Sequence, residues 1–272
     1  MNRPAEQYLD GLQNFSGALF LPGTGADGTG TGGIGVPWFP GTGAAATNPA
    51  PTTTNLATQL KRTIYASGGA AQELGPRLNN AADFQWWRGN ANVAVVGFPT
   101  IVYAGLGGFY FCATFMIEAW NNNAGRLFVG MSASANPICL QDLAGVPANT
   151  FGLYHDTADG ANILSYVHCP STGPPNATKA LAIAGATLAA GQAFRWEMWH
   201  FPNSDSITNL CMRLTSVNTG AKIYYNSFGG GGATIAAMLG PQCQMSPGAD
   251  AVAGHFSIGV ANILCTASNP TG

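Results

Sequence analysis

The stretch Phe109-Tyr110-Phe111-Cys112-Ala113-Thr114-Phe115-Met116-Ile117-Glu118 decides how the rest of the chain is read. Its aromatic and β-branched residues favour a pleated strand, and it is too rich in them for a surface helix. Upstream, no charge occurs from Gly89 to Ile117, longer than the roughly 20 residues that a bilayer crossing needs. Gly97, Pro99, Gly105, Gly107 and Gly108 interrupt that run. Buried strands around a Gly-rich turn are expected there, and no membrane insertion. Downstream, the turn Asn121-Asn122-Asn123 leads into a second strand from Gly125 to Met131. Phe194 to Phe201 carries aromatics on both alternation faces, as in a strand covered on two sides. Cys211 to Val217, Asn218-Thr219-Gly220 and Ala221 to Asn226 read as a hairpin, and His255 to Cys265 as a last strand. Ten to twelve short strands with turn signals between them and no amphipathic helix give an all-β chain, a β-sandwich or jelly roll.

Composition limits what such a chain does. Of 272 residues only 8% are charged, where about a quarter is usual. Ten basic and twelve acidic side chains leave no electrostatic footprint for nucleic acid. A surface so poor in charge is a hazard for a free monomer, and the reading is of a protein that lives assembled. The first 61 residues differ from the rest. Asp27 and Lys61 bracket 33 uncharged residues, mostly Gly, Thr, Pro and Ala, around Val36-Pro37-Trp38-Phe39-Pro40. Such a segment cannot fold on its own side chains. Residues 1–61 are therefore read as an extended docking arm, with Val36, Trp38 and Phe39 as its assembly anchor, and residues 62–272 as the sandwich domain.

Motifs for chemistry are few. Gly23-Thr24-Gly25-Ala26-Asp27-Gly28 matches a dinucleotide fingerprint, but so do the frames starting at Gly28 and Gly30. Val36-Pro37 follows, where a phosphate site needs a helix N-terminus, so composition explains the matches. No G-x-S-x-G occurs. Glycoside hydrolysis needs two carboxylates about 5–9.5 Å apart, and the strand-borne candidates are Glu118 and Glu197. The plainer role for Glu197 is an ion pair with Arg195 or with an arginine of a sister strand. No catalytic residue, cofactor or metal is assigned. Two groups are candidates for ligand binding. Trp86-Trp87-Arg88 offers aromatic faces for a sugar ring beside a donor, although one Trp in the core and one at an edge is the commoner outcome. His155-Asp156-Thr157-Ala158-Asp159-Gly160-Ala161-Asn162 is the most polar loop; its oxygens suit calcium, its spacing does not fit an EF-hand, and an Asx-turn is the preferred reading.

Six cysteines lie 22 to 42 residues apart with no C-x-x-C, which excludes a zinc site built from local pairs. Most sit in apolar runs, where reduced buried thiols are the default. No apolar stretch follows Arg3, so no secretory signal is expected.

Phe109 to Glu118, Gly125 to Ser132 and Asn149 to Asp156, taken in order, resemble a β-rich domain common in tailed-bacteriophage virion proteins, tail fibres among them. Gln192 to Phe201 with Pro202-Asn203, Leu214 to Gly220 and Phe256 to Ala261 continue the resemblance, which spans about residues 65 to 268 and leaves the arm outside it. It implies a lectin-like, concanavalin-like jelly roll, a homotrimer in a fibre or spike, contacts with other tail or capsid proteins, and a surface facing host glycan. It supplies no catalytic residues. A virion component assembled in the host cytoplasm also suits reduced cysteines. A capsid decoration or head-fibre protein is the alternative, and a carbohydrate-active enzyme or soluble lectin the second.

Overall fold

The computed structural model describes residues 16–20, 45–47, 60, 62–77, 108–121, 124–132, 134, 136–148, 150–160, 162–169, 178–179, 183–200, 210–228 and 240–268. They form thirteen strands: β1 (Ser16–Phe20), β2 (Ala45–Thr47), β3 (Thr63–Ala66), β4 (Gly108–Trp120), β5 (Arg126–Ser132), β6 (Thr150–His155), β7 (Ser165–Cys169), β8 (Thr178–Lys179), β9 (Ala193–His200), β10 (Leu210–Ser216), β11 (Lys222–Phe228), β12 (Gly240–Ser246) and β13 (Phe256–Ser268). Two 3-10 turns, Ile138–Leu140 and Leu143–Gly145, are the only helical elements among the described residues. All pairings are antiparallel. The protein is an all-β sandwich of jelly-roll type, as its turn spacing predicts.

The decisive stretch is the middle of β4, which lies at the centre of the larger sheet, ordered β11-β10-β9-β4-β13-β3-β2. β4 and β13 are each 13 residues long and pair along nearly their whole length. The opposite edge of β13 is shared: Ser257 to Val260 pair with β3, and Ile263 to Ala267 pair with β1. β1 and β2, both within residues 1–61, thus lie in this sheet by main-chain pairing. The edges of β13 and β3 supply the partners for these two short strands. The anchor residues Val36, Trp38 and Phe39 lie outside the described residues.

The smaller sheet runs β12-β5-β6-β7-β8. Period-two alternation builds the core between the sheets: Phe111, Phe115 and Ile117 of β4, Phe194 and Trp196 of β9, and Ile258 of β13 face Leu127, Phe151, Leu153 and Met245. The smaller sheet is covered on its outer face as well, by the loop after β5. Ile138, Cys139 and Val146 of that loop pack on Phe128, Tyr154 and Val167, which is why every residue of β6 is buried. The free edge of β12 is covered by the bridges Leu74 to Met245 and Arg77 to Gln242. Gly75 makes this approach possible: its φ is +111° and a Cβ would lie 2.2 Å from the Cys243 carbonyl oxygen. All six cysteines are buried and unpaired.

Candidate functional site

The outer face of the larger sheet carries the densest group of functional side chains. Alternation turns Tyr110, Cys112 and Thr114 outward on β4, Arg195, Glu197 and Trp199 on β9, and Cys211, Arg213 and Thr215 on β10. Register then aligns them in rows: Cys112 opposite Glu197, Glu197 opposite Arg213, and Arg213 opposite Tyr225 of β11. Lys222 and Tyr225 are three residues apart, so a regular strand would send them to opposite faces. A register shift between Leu214 and Thr215 places Lys222 opposite Thr215 and Tyr225 opposite Arg213, and both then stand on the outer face. The Lys222 ammonium lies 5.7 Å from the centre of the Tyr225 ring.

Glu197 is the hub of this face and only 2% exposed. Arg213 donates to both its oxygens, each at 2.7 Å, and the Tyr110 hydroxyl donates to Oε1 at 2.8 Å. Burial by itself would raise the Glu197 carboxyl. The hydrogen bonds from Arg213 and Tyr110 and the charges of Arg213 and Arg195 outweigh it, and hold the group below the ordinary carboxylate range. Arg213 also lies over the Trp199 ring at 5.7 Å, and Trp199 meets Tyr225 with 6.2 Å between ring centres. Arg195 donates to the Cys112 sulfur at 3.4 Å. Burial pushes the Cys112 thiol up, the nearby Arg195 charge notwithstanding. The result is a floor of Trp199, Cys112 and Cys211 under a rim of Arg195, Arg213, Lys222 and Tyr225, with Tyr225 52% exposed.

Glu197 therefore pairs with the arginine of a sister strand, Arg213. Glu118 pairs with Arg62, and that pair lies across Gly259. Glu197 sits opposite Cys112, six residues along β4 from Glu118, or about 20 Å at the usual strand rise. These two carboxylates cannot work across one glycosidic bond.

The end of β6 and the loop after it bring His155, Asp156 and Asp159 together, while the Asn162 carbonyl accepts from the Leu188 amide. Asp156 is 1% exposed and accepts from the Ala158 amide at 2.9 Å, the Asx-turn geometry. Its other oxygen accepts from the Leu143 amide at 3.1 Å, which satisfies the start of the Leu143–Gly145 turn in the β5–β6 loop. Asp159 accepts from the Asp156 amide at 2.8 Å. His155 is buried, its Nδ1 against the Ile163 carbonyl, with its ring edge-on to Trp120 at 5.0 Å. Asn162 is exposed and adopts φ +63°, the left-handed region that asparagine tolerates. These carboxylates tie two loops together, and no group of three metal ligands occurs among the described residues. Trp86, Trp87 and Arg88 lie outside the described residues. His168 and Cys169 face opposite sides of β7, His168 against Phe151 and Cys169 in the outer cluster.

Sequence reading singled out Glu197 and missed Arg213, Lys222 and Tyr225. Strand alternation within the 211–226 hairpin places Arg213 and Tyr225 outward. The bulge that returns Lys222 to that face has no residue signature.

No family model matches the chain, and no curated protein matches it. Among solved structures, a protein of unknown function from Shewanella oneidensis MR-1 aligns with a TM-score of 0.51 at 11% identity, over 98% of this chain and 95% of that one. The two chains share a fold. Arcelin-5, a lectin-like defence protein of Phaseolus vulgaris, aligns at 0.49 with 12% identity, over 93% of this chain and 98% of its own. The CBM2 module of the evolved Dit of Lactobacillus casei BL23 phage J-1 aligns at 0.45 with 10% identity, over 93% and 96%.

Proposed function

We propose that this chain is a non-enzymatic structural protein of a tailed-phage virion, a homotrimeric tail-fibre or spike component. Residues 1–61 dock it to the particle or to sister chains, and the sandwich faces glycan on the host surface. The observation that carries binding over hydrolysis is the state of the strand-borne acids. Glu118 and Glu197 are each held by an arginine and lie far apart, while exposed aromatic and cationic groups stand on the same face. A low charge content of 8% supports life in an assembly, where subunit contacts cover apolar surface. The resemblance across residues 65 to 268 supplies the virion setting. Weak contacts at one sandwich gain strength when three copies act together.

Immunogold labelling of intact virions with antibodies against this chain tests the reading. Label at the tail tip or fibres is expected. Label over the head would move the chain to capsid decoration, and absence of label from the particle would reject the virion assignment.

A further inference from the structure

We propose that the outer face of the larger sheet binds an acidic saccharide, with a sugar ring on Tyr225 and a carboxylate or sulfate group held between Arg195 and Lys222. This deepens the attachment reading above and relies on it for the polymer being on a cell surface; the chemistry of the ligand rests on the residues alone. Three of the chain's ten Lys and Arg residues converge here, in a protein that is 8% charged. The one acid among them, Glu197, is buried and already bound by both nitrogens of Arg213. Three cations against one carboxylate leave two positive charges unbalanced. Among the described residues, Arg195 has only the Cys112 sulfur as hydrogen-bond partner and Lys222 only the Tyr225 ring.

Geometry matches charge. Arg195, Thr215 and Lys222 stand in one cross-strand row, so Arg195 and Lys222 are about 10 Å apart at the backbone, two strand spacings. Turned from their present partners, the Cys112 sulfur and the Tyr225 ring, both side chains are long enough to meet one anionic group above Thr215. Arginine offers a planar fork that matches a carboxylate or sulfate, and lysine adds a mobile point charge. Tyr225, one row away, offers an exposed aromatic face of the kind that takes apolar ring C–H groups. Its neighbours Trp199 below and Lys222 beside it fix how it stands. The part of this face that reaches solvent carries Arg195, Lys222 and Tyr225, while Tyr110, Cys112 and Trp199 beneath them are buried. Two free charges are too few to track a nucleic-acid backbone in a protein with more acids than bases.

The test is isothermal titration of the full-length protein with uronate-, sialate- and sulfate-bearing oligosaccharides and their neutral counterparts. At least one acidic member is expected to bind, with its neutral counterpart at least tenfold weaker and affinity falling as salt rises. The double variant Arg195→Gln/Lys222→Gln and the single variant Tyr225→Ala should each lose about tenfold or more while melting within a degree or two of wild type. Both sets of side chains point to solvent, so folding is not at stake; Lys222→Gln alone gives a milder version of the same loss. Failure of the whole panel to bind, equal binding of acidic and neutral members, wild-type affinity in the variants, or equal binding of an acidic peptide or single-stranded DNA would overturn the site. The virion assignment stands or falls by labelling of particles, so the two failures are separable.

Discussion

Glu197 shows how a single buried acid organises this molecule. Three hydrogen bonds from Arg213 and Tyr110 replace the water it has lost, and so link β4, β9 and β10 on the outer face. Replacing it with Gln removes the charge that Arg213 faces while keeping the shape. A fully buried pair broken this way costs about 3–5 kcal/mol and an exposed one under about 1. Arg213 is 34% exposed, so a loss of about 2 kcal/mol is expected in chemical denaturation of Glu197→Gln. The pH dependence has a definite sign. Because the folded carboxyl is held below its ordinary value, its stabilisation is complete above that ordinary value and fades as pH falls through the lowered one. The stability gap between wild type and Glu197→Gln should therefore narrow on acidification; a gap constant with pH would mean the ion pair contributes nothing. Asp156 accepts hydrogen bonds from two loop amides. Asp156→Ala leaves the amides of Leu143 and Ala158 without their acceptor, for an expected loss of about 1–3 kcal/mol. If the loop instead gathered its oxygens around a cation, calcium would raise the melting temperature of the wild type; no rise is expected.

Strands whose own side chains define them were legible from sequence. β4, β9, the β10–β11 hairpin and β13 each announce themselves by aromatic or alternating residues and a turn, and each lies within a few residues of its expected place. What decides the outer-face cluster was not legible. The order β10-β9-β4-β13 and the bulge opposite Thr215 are properties of pairing, and pairing is set by partners distant in sequence. β1 and β2 were hidden for the same reason. β2 is Ala-Ala-Thr and has little to bury, β1 is a five-residue strand followed by a Gly-rich tract, and it is the edges of β13 and β3 that draw them into strands. This gives an expectation for deletion of residues 1–61. The core between the sheets is built, among the described residues, from Tyr65 onward, so the shortened chain should still unfold in one cooperative transition. It should melt lower than the full chain and associate at high concentration, because the edges of β13 and β3 lose their cover. Scanning calorimetry and light scattering check both; a shortened chain with no cooperative transition would make the arm part of the fold.

At the level of the whole molecule, charge and sulfur point the same way. With 22 Lys, Arg, Asp and Glu side chains on a 28.0 kDa chain, and several of these bound to one another in the ion pairs of Arg62, Arg126 and Arg213, little charge is left to keep copies apart in solution. In the trimer proposed above, contacts between copies would come from apolar and main-chain surfaces, not from cross-links. All six thiols are buried, and burial pushes those of Cys139, Cys243 and Cys265 far up, so the thiolate needed for disulfide exchange is scarce at neutral pH. For the proposed trimer, light scattering of the full chain should give three times 28.0 kDa, and buried thiols predict the same mass with and without reductant. A mass that falls on adding reductant would mean intermolecular disulfides hold the copies, against the burial of every cysteine. A single-chain mass in both conditions would remove the trimer and leave residues 1–61 to dock, if at all, to another protein of the particle.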